Sequence, residues 1–367
     1  MPELWIPYGG VETLVTLQAE NLGVVAEGSA EGASTDFERL AELVKGAEGL
    51  FVCDSAPATL ELVKGTMAAL GENKTIRLYS PAPKVLEAAA AELKGRVTTL
   101  PPPLPTEEGD EPAYAQQLLE PGNKLFVGTA RPDPFFGISD AKVEACLNWV
   151  ARSRATAARS MKAMEPQPMS KTEAYDALES IAGEIPDSKF LTAVPRGGRL
   201  WTAMEDAPFD AIKNGFSRTQ MAQARGIVIG AGGRGYDDTL SSALRAVWSA
   251  IGGVRRTGSV LLIAECSEGV GSTALEMLVT GRMAGEGERR REKYVDGIEE
   301  VFYLNKLKDE FDVLLLSGLP ETYARSKLGL TTAKGSAEAV GRVLNKVGRS
   351  GKLNVIPRAP ELFVESG

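Results

Sequence analysis

The chain has 367 residues, 43% of them hydrophobic and 25% charged, with a formal net charge of −8 and a pI near 5.1. That length suits two ordinary cores, because domains usually run to about 100–200 residues, and the acidic balance argues against a general nucleic-acid or anionic-membrane binder. Histidine is absent, which excludes a Ser-His-Asp triad, a His-ligated zinc site and any imidazole acid or base.

The amino terminus, MPELWIPYGG, lacks the cationic and long apolar regions of a secretory signal. No apolar run approaches the ~20 residues that cross a bilayer. ELWIPYG and VETLVTL read as strands, the second with partial alternation, and TDFERLAELVKGA reads as a helix. GLFVCD is a short buried-type strand, PATLELVKGTMAALG a helix with Gly71 as its C-cap signal, KTIRLYS another strand and KVLEAAAAELKG another helix. Residues 101–113, PPPLPTEEGDEPA, have no period of 2 or 3.6 and are expected to form an extended surface loop. KLFVGTA is then a strand, RPDPFFGIS a turn, and DAKVEACLNWVARSRATAARSMKAM a long helix on which Lys142, Cys146 and Trp149 can share one face.

A second unit is expected to begin between Phe216 and Arg225. There RGIVIGAGG, SVLLIAE, FDVLLLSG and KLNVIP read as strands, while TLSSALRAVWSAIG and TALEMLVTG read as helices. Such a series builds a parallel sheet with helices on both faces and places ligand groups at the carboxyl ends of its strands. The charged GEGERRREK, Gly285 to Lys293, is expected to be solvated surface or a lid. Cys53, Cys146 and Cys266 are odd in number and far apart, which fits a reducing compartment and neither a disulfide framework nor a CxxC metal clip. A cytoplasmic location is expected.

Several stretches carry chemistry. GAGGRG, Gly230 to Gly235, matches GxGxxG after a strand and before a helix, but its acidic partner, Glu265, lies beyond the usual spacing of about 20 residues. Both a dinucleotide site and a tight strand-to-helix turn are compatible with it. ECSEGVGS, Glu265 to Ser272, can present backbone N–H groups to a carboxylate or phosphate, or can be a plain helix cap. Lys142 can form an adduct, clamp a phosphate or stand as a solvated helix lysine, and Cys146 can be a small buried apolar side chain. Arg196 and Arg199, in VPRGGRL, can grip an anion or simply be exposed.

Taken with the order of elements, these segments resemble the nickel-dependent lactate racemase family over nearly the whole chain. VIGAGGRGYDDTLSSALRA is similar to the family's glycine-glycine turn with an aspartate and a following helix. VLLIAECSEGVGS is similar to its strand ending in glutamate, cysteine and an E-G-x-G-S turn, and IPYGGVETLVTLQAENL to its opening. RPDPFFGISDAK is similar to the family's E-P-H-P-F-A-G-F-S-G-G-x-K segment, in which the histidine is catalytic and the lysine holds a pyridinium nucleotide, a sulfur-carbon-sulfur pincer on nickel, through a thioamide. Pro132, Pro134, Phe135, Gly137, Ser139 and, with one residue deleted, Lys142 are kept; Asp133 stands at the histidine. DSAPAT keeps Asp54 of a D-x-T-R-P segment but has Pro57 at the arginine. The other catalytic histidine falls near Ala82 or Pro83, and the nickel-coordinating histidine has no counterpart.

The resemblance implies two α/β domains, 1–220 and 221–367, with parallel-sheet, Rossmann-like cores and a cleft between them. It implies a 2-hydroxy-acid racemase or epimerase that passes a hydride to the nickel-pincer nucleotide. Asp133 would be the acid/base, Cys146 the remaining nickel ligand, and Asp54, Ser139, Lys142, Gly232, Gly233, Asp237 and Glu265 the cofactor-binding residues. The missing histidines leave two alternatives: a non-catalytic binder of a small carboxylate, a nucleotide or a protein partner, and an NAD-dependent oxidoreductase. Neither nucleic acid nor membrane is an expected partner.

Overall fold

The structure, a computed structural model, describes residues 1–29, 31, 35, 37–69, 76–80, 97–100, 118, 120, 122–150, 165–283, 295, 297–348 and 350–367. The KVLEAAAAELKG helix, the 101–113 loop, the GEGERRREK segment, residues 151–164 of the long helix, Gly71 and the Ala82/Pro83 position lie outside these residues. Two compact units emerge: a C-terminal unit of Met1–Ser29, Pro132–Pro134 and Ser217–Gly367, and a middle unit of Ala30–Arg131 and Phe135–Phe216. The sequence reading drew one boundary near residue 220, whereas here Met1–Ser29 groups with the C-terminal residues. Among the described residues no helix is long and apolar enough to cross a membrane.

The middle unit is an α/β layer structure. Its six-stranded sheet runs in the order Arg199–Glu205, Ser188–Arg196, Lys124–Thr129, Gly49–Val52, Ile76–Tyr79, Val97–Leu100. All neighbours are parallel except the first two, which form a hairpin. From Gly49–Val52 the chain steps outward twice on one side, then returns to add Lys124–Thr129 on the other. The topological switch point therefore lies between those two strands, the place where open α/β sheets bind ligands.

Alternation along these strands builds two cores. Leu50, Val52, Leu125 and Val127 point to one face and pack with Leu62, Val63 and Met67 of the Pro57–Ala69 helix. Phe51 and Phe126 point to the other and stack with Tyr79 and Phe190 across four adjacent strands, at centroid separations of 4.4, 4.7 and 5.0 Å. Trp149, the last residue of the Ala141–Trp149 helix, closes this face edge-on to Phe51 at 5.4 Å. Gly197 and Gly198, both at positive φ, turn the chain between the hairpin strands. Arg196 is packed rather than free: it stacks on Trp201 at 3.5 Å and donates to the Gly215 carbonyl.

The C-terminal unit repeats the plan with six parallel strands in the order Thr331–Thr332, Asp312–Leu316, Val254–Ile263, Ala224–Gly230, Leu353–Ile356, Leu22–Val25. Its switch point lies between Ala224–Gly230 and Leu353–Ile356. The outermost strand comes from the amino terminus, and the antiparallel hairpin of Glu3–Tyr8 and Val11–Thr16 adds Ile6 and Val15 to a core with Val228, Leu261, Val340 and Val355. A two-domain-type α/β organisation with parallel sheets is thus what the sequence pattern describes.

The aromatic row fixes the second face of the middle sheet. Replacing Phe126 by Ala should cost about 3–5 kcal/mol, as for large buried aromatics generally, measured by urea unfolding monitored through Trp149 fluorescence.

Candidate functional site

At the middle unit's switch point a buried polar cluster follows directly on the two central strands. Asp54, just beyond Gly49–Val52, accepts the Thr129 N–H on Oδ2 at 2.6 Å and the Ala56 N–H on Oδ1 at 2.8 Å. It thereby ties the neighbouring strand's end to the start of its own helix. Burial raises its pKa above the ordinary carboxylate range, against the Arg131 charge and the two backbone donors, which pull it down. Arg131, two residues beyond Thr129, is 7% exposed; its Nη2 lies 3.2 Å from Glu144 Oε1. Its Nε, fully buried, has no hydrogen-bond partner among the described residues. Ser139 also donates to Glu144 Oε1.

Lys142 and Cys146 lie one helical turn apart on the face that packs against the Glu173–Gly183 helix. The Lys142 ammonium sits 3.0 Å from Glu179 Oε1 and 3.1 Å from the Ala207 carbonyl, and the Cys146 thiol, fully buried, donates to the Leu178 carbonyl at 3.4 Å. Asp140 caps their helix by accepting the Val143 N–H, and its other oxygen accepts the Tyr175 hydroxyl at 2.7 Å. Burial raises the Asp140 pKa.

The C-terminal unit has its own polar knot, at the end of Ala224–Gly230. Asp237, fully buried, accepts the Gly9 N–H at 2.8 Å and the Glu265 N–H at 3.1 Å on a single oxygen, Oδ2. Its Oδ1 has no partner among the described residues. Burial raises its pKa, with the Asp238 and Glu265 charges adding to the effect and the two backbone bonds opposing it. Tyr8 is pushed up to about 12 by burial and by the charges of Cys266, Glu265 and Asp237. A side chain at Gly9 would collide with the Glu265 carboxylate, its Cβ falling 1.8 Å from Oε2. Gly233, at φ +81°, lies against Pro7 and the Gly9 carbonyl. Cys266 adopts φ +53°, a left-handed conformation unusual for a non-glycine residue.

Asp133 belongs to this unit as well. Its carboxylate is 3.9 Å from Arg245 Nε, on the Leu240–Ala250 helix, and the next residue, Pro134, accepts the Tyr303 hydroxyl at 3.4 Å. The residues singled out from sequence therefore fall into two sets. Asp54, Ser139, Lys142 and Cys146 lie in the middle unit, and Asp133, Gly232, Gly233, Asp237 and Glu265 in the C-terminal unit. Arg131 and Glu144 escaped the sequence analysis. The available signal was a basic residue immediately after a buried strand.

Comparison with solved structures gives a lactate racemase apoprotein from Thermoanaerobacterium thermosaccharolyticum at a TM-score of 0.74, with 14% sequence identity over 99% of this chain and 100% of that one. The chain has a lactate-racemase-like fold. A Thermotoga maritima protein, a structural genomics target, matches at a TM-score of 0.61 with 13% identity over 93% of this chain and 100% of its own. No protein-family model matches, and no curated protein matches in sequence.

A lactate-racemase-like fold raises the nickel-pincer nucleotide, and the residues present do not fit it. No imidazole exists to complete the metal's coordination. The Cys146 thiol is committed to a carbonyl within a helix interface, and among the described residues no group of three His, Cys, Asp or Glu can hold a metal. A dinucleotide at GAGGRG fits no better. The first-turn N–H groups of Leu240–Ala250, which would meet a pyrophosphate, are already bonded: Leu240 to the Gly269 carbonyl, Ser241 to the Val270 carbonyl and Ser242 to Thr239 Oγ1. Pro7 and Gly9 cover the glycine turn itself.

Two outcomes follow for the buried acids. In Asp237→Asn the amide oxygen can keep both backbone bonds while the NH₂ takes the place of Oδ1, so the melting temperature should stay within a few degrees, whereas Asp237→Ala strands two buried N–H groups at about 1–3 kcal/mol each. Because Asp54, Asp140 and Asp237 all hold protons more tightly when folded, the native state binds more protons than the unfolded chain. Their contribution is full below the ordinary carboxylate pKa of about 4 and is lost as pH rises through the raised values. Urea titrations across that window should show Asp237→Asn losing less stability with rising pH than the parent chain.

Proposed function

We propose that the chain binds a small carboxylate, of the 2-hydroxy acid class, at the middle unit's switch point. The observation that carries this reading is Arg131. A guanidinium has five N–H donors in a planar fork suited to a carboxylate; this one is nearly buried, contacts Glu144 through Nη2 and has no partner for its buried Nε among the described residues. Asp54 lies within its electrostatic reach with a raised pKa. An acid that keeps its proton can donate to a ligand hydroxyl, and one that loses it can accept. A carboxylate on the fork with a hydroxyl near Asp54 describes a 2-hydroxy acid, and the lactate racemase that shares this fold makes lactate the first compound to test.

Binding is preferred to isomerisation for a chemical reason. Racemising a 2-hydroxy acid requires proton transfer on either face of a planar intermediate, each by a group with a pKa near the working pH. A chain without imidazole, and without a donor set for the pincer, offers no such pair among these residues.

Thermal unfolding with D-lactate, L-lactate and other 2-hydroxy acids tests the proposal. A ligand at 100 times its Kd stabilises the folded state by about 2.7 kcal/mol, a rise of a few degrees. The Arg131→Met, Glu144→Gln double variant, which leaves no unpaired charge, should fold and lose the rise. A series with no shift for any 2-hydroxy acid, or an undiminished shift in the double variant, would rule the reading out.

A further inference from the structure

Lys142 stands where the resemblance puts a cofactor-bearing lysine, yet its surroundings are those of a packing residue. Its side chain is 13% exposed, with the ammonium 3.0 Å from Glu179 Oε1 and 3.1 Å from the Ala207 carbonyl. Glu179 is further fixed by Lys171, 3.0 Å from its other oxygen. These two lysines hold the Glu179 carboxyl below the usual range against the opposing effect of burial. The same two helices are joined by the Tyr175 hydroxyl on Asp140 and by the Cys146 thiol on the Leu178 carbonyl. Asp140, Lys142 and Cys146 thus all address the Glu173–Gly183 helix. The lysine and cysteine that the resemblance assigns to a metal cofactor lie on the helix-packing face of Ala141–Trp149.

We infer that Lys142 is a structural clasp, joining the Ala141–Trp149 helix to Glu179 and to the Ala207 carbonyl, and that this chain works without a nucleotide linked to that lysine. Forming such a link requires the neutral amine. It also requires an amine free to reach the nucleotide, and this one is held 3.0 Å from Glu179 Oε1 and 3.1 Å from the Ala207 carbonyl. Nothing in the inference depends on carboxylate binding at Arg131, so the two stand or fall separately: the ligand series reads Arg131, and the experiments below read Lys142.

A brief pulse of N-hydroxysuccinimide acetate on the intact protein, followed by peptide mass spectrometry, compares Lys142 with the exposed Lys334. The clasp predicts labelling of Lys142 slower by roughly tenfold or more, since acylation needs an accessible amine released from its partners and this side chain is 13% exposed and held by Glu179. Glu179→Gln should bring its rate toward that of Lys334, and Lys142→Arg, which keeps the charge, should retain the melting temperature. In parallel, protein purified from its native host should have the intact mass of its sequence. Equal labelling of Lys142 and Lys334 in the parent chain would overturn the clasp. A mass increment mapping to the Lys142 peptide would overturn the independence from a linked nucleotide.

Discussion

Both sheets meet the same constraint: at the switch point, backbone N–H groups of the segments that converge on the end of a central strand need acceptors where no strand supplies them. In each case an aspartate answers. Asp54 takes the Thr129 and Ala56 N–H groups, and Asp237 takes those of Gly9 and Glu265. An unmet buried N–H costs about 1–3 kcal/mol, so each carboxyl offsets a penalty comparable to burying a large apolar side chain. Burial in turn favours the neutral acid, which is why both pKa values are raised although every bond they make favours the anion. The same groups therefore hold the backbone N–H groups and keep a proton more readily than a solvated carboxylate does.

The two unpartnered atoms gain meaning against this background. A folded chain satisfies nearly all its buried polar groups, and in both knots the neighbouring groups are well bonded. Among the described residues Arg131 Nε and Asp237 Oδ1 are two of the buried side-chain atoms without a partner: one donor at the middle unit's switch point, one acceptor beside the glycine turn. They differ in what can resolve them. A neutral Asp237 can carry its proton on Oδ1, and burial, with the charges of Asp238 and Glu265, already favours that form. A guanidinium has no such recourse, because it stays protonated at any ordinary pH. Its unfilled donor calls for an external acceptor, and that asymmetry places the ligand-binding proposal on Arg131.

Much of the fold was legible because parallel strands covered on both faces must be continuously apolar. GLFV, KLFVGT, IVIG and VLLI are all buried along their whole length. Leu22–Val25 was not legible. Its four residues carry no address for Leu353–Ile356, and a pairing across more than three hundred residues leaves no local trace. The hairpin at Gly197–Gly198 did carry a signal, two glycines between alternating segments, but its flanking arginines drew the interpretation toward anion binding. Asp54 and Asp237 stood out through the resemblance of DSAPAT and GAGGRGYDD to family segments. Arg131 and Glu144 did not, since their pairing needs the 131–144 chain to fold back on itself.

The environment of Lys142 shows how a fold can keep a residue while changing what it can do. A helical side chain acts in the direction its face is turned, and face is set by packing rather than by local sequence. Glu179, Leu178 and Tyr175 all come from one helix some thirty residues downstream, and no pattern within RPDPFFGISDAK announces them. Once that helix presents a carboxylate to Lys142 and a carbonyl to Cys146, two potentially reactive groups become interior contacts. Restoring an imidazole at position 133 would not reverse this, because Asp133 already faces Arg245 in the C-terminal unit and the lysine would still be held by Glu179. Absence of histidine and engagement of the lysine are therefore separate obstacles to pincer chemistry, one in the donor set and one in the packing.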